Sequence, residues 1–265
     1  MNFFTAPFAM IARYRTILWR TTYNELRSTY AGSALGMAWV VLGPMLLLSV
    51  YALVYAVIFR VRPTDMTVAE YILYVFSGLV PFITFATAMT QGALSLPANK
   101  QVLLNTVFPA ELVPLRSVLV ASAGLPAGIV VLFFGDLLFS RLSATFLLVP
   151  FVILFQLMFL VGLSWVLSLA TLLIRDIQQV LIYVTMLLLV VTPIAYTPDM
   201  IPPQLKILMY GNPLFYYVTS YQSLILLNRL PPLDVVIVGI TMSVVMFGLG
   251  FRMCQRAKQV FYDFA

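Results

Sequence analysis

Six long stretches of this chain contain no Asp, Glu, Lys, Arg or His, and no other feature constrains the fold as strongly. They are residues 28–59, 71–99, 117–135, 142–174, 177–198 and 235–251. A seventh charge-free stretch, 207–228, is interrupted by Gly211, Asn212 and Pro213, which break a helix. A helix needs about 20 apolar residues to cross a bilayer core roughly 30 Å thick, and a charged side chain at its centre costs about 2.5–3.5 kcal/mol. The sequence therefore predicts an all-α integral membrane protein with six transmembrane helices.

Composition excludes most catalytic machinery. The chain has 265 residues, of which 62% are hydrophobic and 9% charged, with no histidine and the single cysteine Cys254. Histidine-based zinc sites, Ser–His or Cys–His nucleophile pairs and an internal disulfide are therefore excluded. The acidic residues lie singly near the ends of the charge-free stretches, whereas an intramembrane enzyme needs carboxylates or a nucleophile–base pair close together. We expect no catalytic residue, no metal site and no enzyme activity.

The distribution of Lys and Arg predicts the orientation in the membrane. Six crossings place both ends of the chain on one side, and that side carries ten of the 15 Lys and Arg residues. Because Lys and Arg are enriched on the cytoplasmic side of membrane proteins, both termini are predicted to be cytoplasmic.

The segment 192–228 is rich in residues that interrupt helices. It contains Pro193, Pro198, Pro202, Pro203, Gly211, Asn212 and Pro213. The run 214–227 is too short to cross comfortably, and irregular backbone at membrane depth requires cover by protein or a water-filled cavity. We predict two re-entrant half-helices between spans five and six, dipping in from the outer face, with Pro193, Tyr196, Asn212 and Pro213 as gate residues. A structured loop outside the membrane is the alternative.

An amphipathic helix precedes the first span. Its apolar positions are Ile11, Tyr14, Leu18, Thr22 and Leu26, and its opposite face carries Arg13, Thr16, Arg20, Asn24 and Arg27. Trp19 and Tyr23 extend the apolar side. A basic amphipathic helix with aromatic residues lies in the plane of the membrane interface, where it can also serve only as an anchor. We divide the chain into a cytoplasmic interface helix, residues 1–30, and a transmembrane domain, residues 31–265.

The connection between spans two and three carries a second short helix. Asn99 is a good N-cap and Pro109 a stop, so we predict a helix over 100–108, within a connection at about 99–109, that lies across the cytoplasmic surface. Such a transverse helix can dock into a groove of a soluble partner and transmit its motion. The alternative is a simple interfacial connector.

An aromatic stripe is predicted on the first span. Tyr51, Tyr55 and Phe59 recur at four-residue spacing, so they share one face of a helix. We predict that the stripe lines a conduit. An aromatic belt at the membrane interface is the alternative.

Two pairs of glycines match the small-residue pattern of close helix packing: Gly32 with Gly36, and Gly124 with Gly128. We expect the first pair to seat the start of span one closely against a neighbouring helix. The second pair encloses Pro126, and we expect it to mark a kink.

Four stretches, in order along the chain, resemble a known family. They read ELRSTYAGSALGMAW (25–39) with Pro44, SGLVPF (77–82), VFPAELVPL (107–115), and TPIAY (192–196) followed by NPL (212–214). They are similar to the membrane subunits of ATP-binding-cassette exporters that move bacterial surface polysaccharides such as O-antigen, capsule and teichoic acid. The likeness covers nearly the whole chain.

The resemblance implies a homodimer of six-helix subunits in the bacterial inner membrane, with two ATPase subunits beneath it. The interface helix and the transverse helix would contact the ATPases through Arg20, Asn24, Arg27, Lys100, Gln101, Leu104, Asn105, Phe108 and Glu111. The re-entrant segment would close the outer mouth. The chain has no Gly-x-x-x-x-Gly-Lys-Ser/Thr loop, so the partner would bind ATP and Mg²⁺ and this chain would bind no cofactor.

We therefore expect a channel-forming permease subunit that exports a lipid-linked polysaccharide, powered by ATP that a partner subunit hydrolyses. A small-molecule or drug exporter of the same superfamily is the alternative among transporters. A structural scaffold subunit is an alternative from another class, and it predicts no ATPase partner and tolerance of changes in the transverse helix.

Overall fold

The computed structural model describes residues 5–54, 66–105, 108–139 and 143–263. Over these residues the chain forms eleven α-helices and no β-strand, which confirms the predicted all-α class for this part of the chain. The helices are Ala6–Thr29 (α1), Trp39–Ala52 (α2), Val68–Ala98 (α3), Lys100–Asn105 (α4), Leu112–Ala121 (α5), Leu125–Phe139 (α6), Val149–Leu173 (α7), Ile177–Val191 (α8), Lys206–Tyr210 (α9), Pro213–Ile225 (α10) and Leu233–Asp263 (α11).

Within the part of the chain that the structure describes, four helical segments are long and apolar enough to cross a membrane. They are Val68–Ala98, Leu112–Phe139, Ala144–Leu173 and Leu233–Ala257, and they coincide with the predicted second, third, fourth and sixth crossings. The predicted first and fifth crossings correspond to the shorter apolar helices Gly36–Tyr51 and Ile177–Val191. The first crossing was predicted to reach residue 59, which lies outside the described residues. Six crossings therefore remain a proposal.

The fifth predicted crossing is shortened by proline. α8 has 15 residues, which corresponds to a helix about 22 Å long, less than the bilayer core of roughly 30 Å. It ends at Val191 because Thr192 precedes Pro193, and the residue before a proline is disfavoured in the helical conformation.

α3 is the central helix of the bundle. It packs against α5, α6, α7 and α10, and Tyr71, Leu79 and Phe85 are each 1% exposed. A capping box fixes its first turn: the Thr67 hydroxyl accepts from the Glu70 amide at 3.3 Å, and the Glu70 carboxylate accepts from the Thr67 amide at 2.7 Å. The other elements of the candidate site are placed against this helix.

α7 and α11 cross in close backbone contact at Gly162 and Gly250. A Cβ built at Gly250 would lie 2.9 Å from the carbonyl carbon of Gly162, and one built at Gly162 would lie 2.6 Å from the amide nitrogen of Phe247. Side-chain carbons do not approach backbone so closely, so only glycine fits at either position. The fully buried ring of Trp165 lies beside this crossing, with its centroid 5.3 Å from Phe247 and 5.4 Å from Phe251.

The two glycine pairs noted in the sequence differ in role. Gly32 and Gly36 have φ of +82° and +50°, and no described atom lies within 4 Å of a Cβ built at either one. The expected close contact is therefore not formed within the described chain, and these glycines instead supply left-handed backbone between α1 and α2. Gly124 lies in the break between α5 and α6, as predicted for a kink, and a Cβ there would lie 2.9 Å from Pro44 Cγ.

Candidate functional site

The segment 192–196, which follows α8, is held from one side by α10. Gln222 Nε2 donates hydrogen bonds to the carbonyls of Pro193 at 3.0 Å and Ile194 at 3.4 Å. Gln222 is 3% exposed. Because an unpaired buried carbonyl is costly, this amide allows irregular backbone to lie inside the bundle.

The same segment is held from the other side by α3. The Tyr71 hydroxyl donates to the carbonyl of Ala195 at 2.9 Å, and the Tyr74 hydroxyl donates to the carbonyl of Tyr196 at 3.3 Å. The Tyr196 hydroxyl in turn donates to the last carbonyls of α8, at 2.9 and 2.8 Å. Consecutive carbonyls from 193 to 196 are thus all paired with side chains of two different helices.

Asn212 joins this segment to the start of α10. Its Nδ2 donates to Thr192 Oγ1 at 2.7 Å, while its Oδ1 accepts from the Leu214 amide at 2.9 Å and so caps the helix that Pro213 begins. Asn212 is 4% exposed and Thr192 is fully buried. The structure therefore brings together all four residues predicted to form a gate: Pro193, Tyr196, Asn212 and Pro213.

A second buried network ties α10 to α7 and α3. The Tyr221 hydroxyl donates to Gln156 Oε1 at 3.0 Å, and Gln156 Nε2 donates to the carbonyl of Pro81 at 2.9 Å. Both Tyr221 and Gln156 are fully buried. Periodicity and charge did not single out these residues, although Gln156 is the lone amide side chain in the charge-free stretch 142–174, and polar side chains inside membrane spans are often functional.

The first predicted half-helix is not formed. Residues 192–205 contain only two short 3₁₀ turns, Pro198–Met200 and Pro203–Leu205, and α9 is a five-residue helix. The prolines of this segment lack the amide hydrogen that a helix needs, which explains the difference. α10, in contrast, is a regular helix of 13 residues that is buried over most of its length. Its insertion from the outer face stays a prediction.

α1 turns its predicted apolar face inward. Leu18 and Thr22 are buried, and Ile11, Tyr14 and Leu26 are half-buried. The predicted ATPase contacts on the opposite face, Arg20, Asn24 and Arg27, are exposed. Trp19 and Tyr23, which the sequence assigned to the apolar side, are 72% and 52% exposed. α1 therefore presents a basic face and an aromatic face away from the bundle.

Arg116 of α5 connects α1 to the base of α4. Its guanidinium forms an ion pair with Glu25 of α1, and its Nη2 donates to Asn99 Oδ1 at 3.1 Å. Asn99 Nδ2 donates to the carbonyl of Ser95 at 2.8 Å. α4 begins at Lys100, as predicted, and the Asn99 carbonyl accepts from the Leu103 amide at 3.0 Å, but the Asn99 side chain is engaged with Ser95 and Arg116.

α4 is shorter than the predicted helix 100–108. Its described part runs over Lys100–Asn105, and residues 106 and 107 lie outside the described residues. Phe108 is not helical and packs against the core. Of the predicted ATPase contacts, Lys100, Gln101 and Asn105 are exposed on α4, and Leu104 lies on the same helix. Glu111 is 2% exposed, so its side chain faces the interior instead of that surface.

Only the first residue of the aromatic stripe, Tyr51, belongs to the described part of the chain. Tyr51 is partly buried against the core, and Tyr55 and Phe59 lie outside the described residues. Its role in a conduit stays a prediction. Over residues 5–54, 66–105, 108–139 and 143–263, no group of three or more His, Cys, Asp or Glu side chains could hold a metal ion.

Comparison with known proteins identifies the family. A family model described as "ABC-2 type transporter" matches residues 14–226. The O-antigen export system permease protein RfbA of Myxococcus xanthus is 25% identical over 254 residues, which are 95% of this chain and 96% of that protein. Two proteins of the same name from Klebsiella pneumoniae are 29% and 30% identical over 205 and 207 residues, in each case 77% of both chains.

These matches confirm the resemblance seen in the sequence. The family model covers the interface helix from Tyr14, the central helix α3 and the whole of α10. It therefore includes both parts of the gate segment and both surfaces predicted to meet a partner. The chain belongs to the ABC-2 type transporter family.

Proposed function

We propose that this chain is the channel-forming permease subunit of an exporter that moves a lipid-linked surface polysaccharide across the bacterial inner membrane. The observation that carries the proposal is the near end-to-end similarity to a protein named as an O-antigen export permease, over 95% of this chain. The sequence has no nucleotide-binding loop, so two separate ATPase subunits would bind ATP and Mg²⁺ and hydrolyse the nucleotide.

The chemistry of the gate segment supports this function. The side chains that hold residues 192–196 are Tyr, Gln, Asn and Thr, and none carries a charge at neutral pH. A neutral hydrogen bond contributes about 0.5–1.5 kcal/mol net. Such bonds can be exchanged one at a time for bonds to water or to a hydroxyl-rich polymer. Pro193, Tyr196, Asn212 and Pro213 would close the outer mouth between transport cycles.

The coupling surface would consist of the exposed residues of α1 and α4. Arg20, Asn24 and Arg27 of α1 and Lys100, Gln101 and Asn105 of α4 are exposed. The Glu25–Arg116 ion pair and the Arg116–Asn99 hydrogen bond link the two helices. A movement of α4 imposed by an ATPase subunit would therefore be transmitted to α1. Phe108 and Glu111 would act from the interior by fixing the connection after α4.

The homodimer, six crossings and cytoplasmic termini belong to the same proposal. α2 and α8 leave large apolar side chains uncovered by the described chain: Leu46 and Val50 of α2 are 56% and 57% exposed, and Tyr183 and Val190 of α8 are each 72% exposed. Lipid or a second copy of the chain must cover these faces. In a homodimer, α2 and α8, which have few contacts within one chain, would pack against the second copy around a conduit.

Co-purification followed by reconstitution tests the proposal. The chain is extracted in mild detergent with its candidate nucleotide-binding subunit, and the complex is placed in liposomes loaded with lipid-linked polysaccharide. We expect a complex with ATPase activity and ATP-dependent transfer of the polymer. Lys100→Glu on α4 should reduce co-purification, while the matched control Arg175→Glu, exposed at the α7–α8 turn, should not. Failure to recover an ATPase subunit under several extraction conditions would remove the proposal.

A further inference from the structure

A cleft of about 480 Å³ lies between α1, α2, α3 and the break between α5 and α6. It is distinct from the gate segment, because it follows the half of α3 that leads to α4. On α3, the residues Ile83, Thr87, Gln91, Leu94 and Ala98 recur at three- and four-residue spacing and line the cleft. This is the face of α3 that the rest of the bundle leaves uncovered.

The cleft has one polar wall and one apolar wall. Thr84, Thr87 and Gln91 of α3, together with Ser117 of α5, form the polar wall. The apolar wall comes from α2, which contributes Pro44, Leu47 and Leu48. Glu25 is the charged residue in the lining, and it is engaged in the ion pair with Arg116. The polar wall therefore offers neutral donors and acceptors.

Two polar side chains of this wall have no hydrogen-bond partner among the residues that the structure describes: Gln91 and Ser117. Thr84 and Thr87 donate to the carbonyls of the preceding helical turn, at 3.1 and 2.7 Å, and so keep their hydroxyl oxygens available as acceptors. Amide and hydroxyl groups inside a membrane-spanning helix cost free energy unless a polar group satisfies them. The cleft is thus built for a polar, uncharged ligand.

We propose that this cleft binds the sugar headgroup of a membrane glycolipid, with the hydrocarbon tail along the apolar wall of α2. Tyr30, which also lines the cleft, offers a flat ring on which a sugar can stack. Pockets for small ligands measure about 300–1,000 Å³, so the volume suits one or two sugar rings and not a long polymer. The inference rests on the proposed function, and it assigns the lipid-proximal sugar of the substrate to a site within one subunit.

Photolabelling of the full-length chain in lipid nanodiscs tests this assignment. Two probes share one alkyl chain with a diazirine at its end: an alkyl β-glucoside and the corresponding alkyl phosphocholine. Labelled peptides are identified by mass spectrometry. We expect the glucoside to label α2 and α3 about tenfold more strongly than the phosphocholine. A tenfold difference corresponds to roughly 1.4 kcal/mol in binding free energy.

A pair of matched variants locates the binding site. Thr87→Val combined with Gln91→Leu should lower glucoside labelling about tenfold, because two groups that satisfy sugar hydroxyls are lost. Thr90→Val is the control: its hydroxyl donates to the preceding helical turn at 2.9 Å as that of Thr87 does, but it lies outside the cleft lining. Equal labelling by the two probes, or unchanged labelling in the double variant, would overturn the assignment.

Polysaccharide export by the same proteins separates this inference from the proposed function. If wild-type protein exports the polymer without glucoside-selective labelling, the cleft assignment is wrong and the proposed function stands. If selective labelling is present and is lost in the double variant although no polysaccharide is exported, the cleft assignment stands and the proposed function is wrong.

Discussion

Asn212 donates a hydrogen bond of 2.7 Å to Thr192 Oγ1, a residue 20 positions earlier in the chain. The same side chain accepts from the Leu214 amide and thereby caps α10. One amide thus fixes the end of α8 relative to the start of α10. The irregular segment between them is positioned by this link as well as by the tyrosines of α3.

Removing the Thr192 hydroxyl should loosen the gate segment. In Thr192→Val the Asn212 amide loses its acceptor inside the protein, which costs about 1–3 kcal/mol. Backbone amides at the start of α10 should therefore exchange with solvent deuterium about tenfold faster or more, because local opening becomes easier. Hydrogen–deuterium exchange with mass spectrometry measures this directly.

Thr185→Val is the matched control for that experiment. Thr185 lies on the same helix, and its hydroxyl donates only to carbonyls of α8, at 3.0 and 2.7 Å. Exchange at the start of α10 should be unchanged in this variant. Equal acceleration in both variants would mean that the Asn212–Thr192 bond does not hold the segment.

Gln156 and Tyr221 should be energetically coupled. Gln156→Leu leaves the Tyr221 hydroxyl unpaired, and Tyr221→Phe leaves Gln156 Oε1 unpaired, so each single change creates a buried unsatisfied group. The double variant removes both groups and should be less unstable than the sum of the single changes, with a coupling of about 0.5–3 kcal/mol. Unfolding in mixed micelles measures the cycle, and strictly additive effects would contradict the network.

Gly250→Ala should destabilise the bundle. Its new methyl group would meet the Gly162 backbone, and overpacking of this kind typically costs about 1–3 kcal/mol. Gly239→Ala on the same helix is the control, because a Cβ there would lie 3.5 Å from Tyr216 Cβ, an ordinary contact distance. We expect the apparent melting temperature in detergent to fall for the first variant only. A similar fall in both would show that the crossing is not the constraint.

Exchanging the two charges of the Glu25–Arg116 ion pair should restore the attraction that a single charge reversal removes. Arg116→Glu places two carboxylates together and frees Asn99, so we expect weaker docking of α1 and less co-purified ATPase subunit. Glu25→Arg combined with Arg116→Glu should recover the attraction and part of the association. The amount of ATPase per permease on a gel gives the measurement. If the double variant co-purifies no more ATPase subunit than Arg116→Glu does, the ion pair that docks α1 is not needed for ATPase binding.

Features that depend on one helix were accessible from the sequence. The inward face of α1 follows from periodicity, and the long apolar helices follow from the absence of charge. The break between α5 and α6 was also anticipated from Pro126 and its flanking glycines. In each case the cause lies within one stretch of chain.

The candidate site was only partly accessible, because its hydrogen bonds join distant residues. Tyr71 and Ala195 are separated by 124 positions, and Gln156 and Pro81 by 75. No pattern in neighbouring residues predicts hydrogen bonds between such distant positions. The start of α4 after Asn99 was accessible from the sequence, but the partner of the Asn99 side chain, Arg116, lies 17 positions later in the chain.

The crossing of α7 and α11 restricts how the subunit can move. Two helices whose backbones touch at Gly162 and Gly250 cannot slide or rotate past one another without a clash, so they behave as one rigid body. α3 is locked to α7 by the Gln156–Pro81 hydrogen bond. The helix movements of a transport cycle must therefore occur outside α3, α7 and α11. α2 and the start of α8, which contact few other helices within the described chain, are the parts left free to move around this fixed frame.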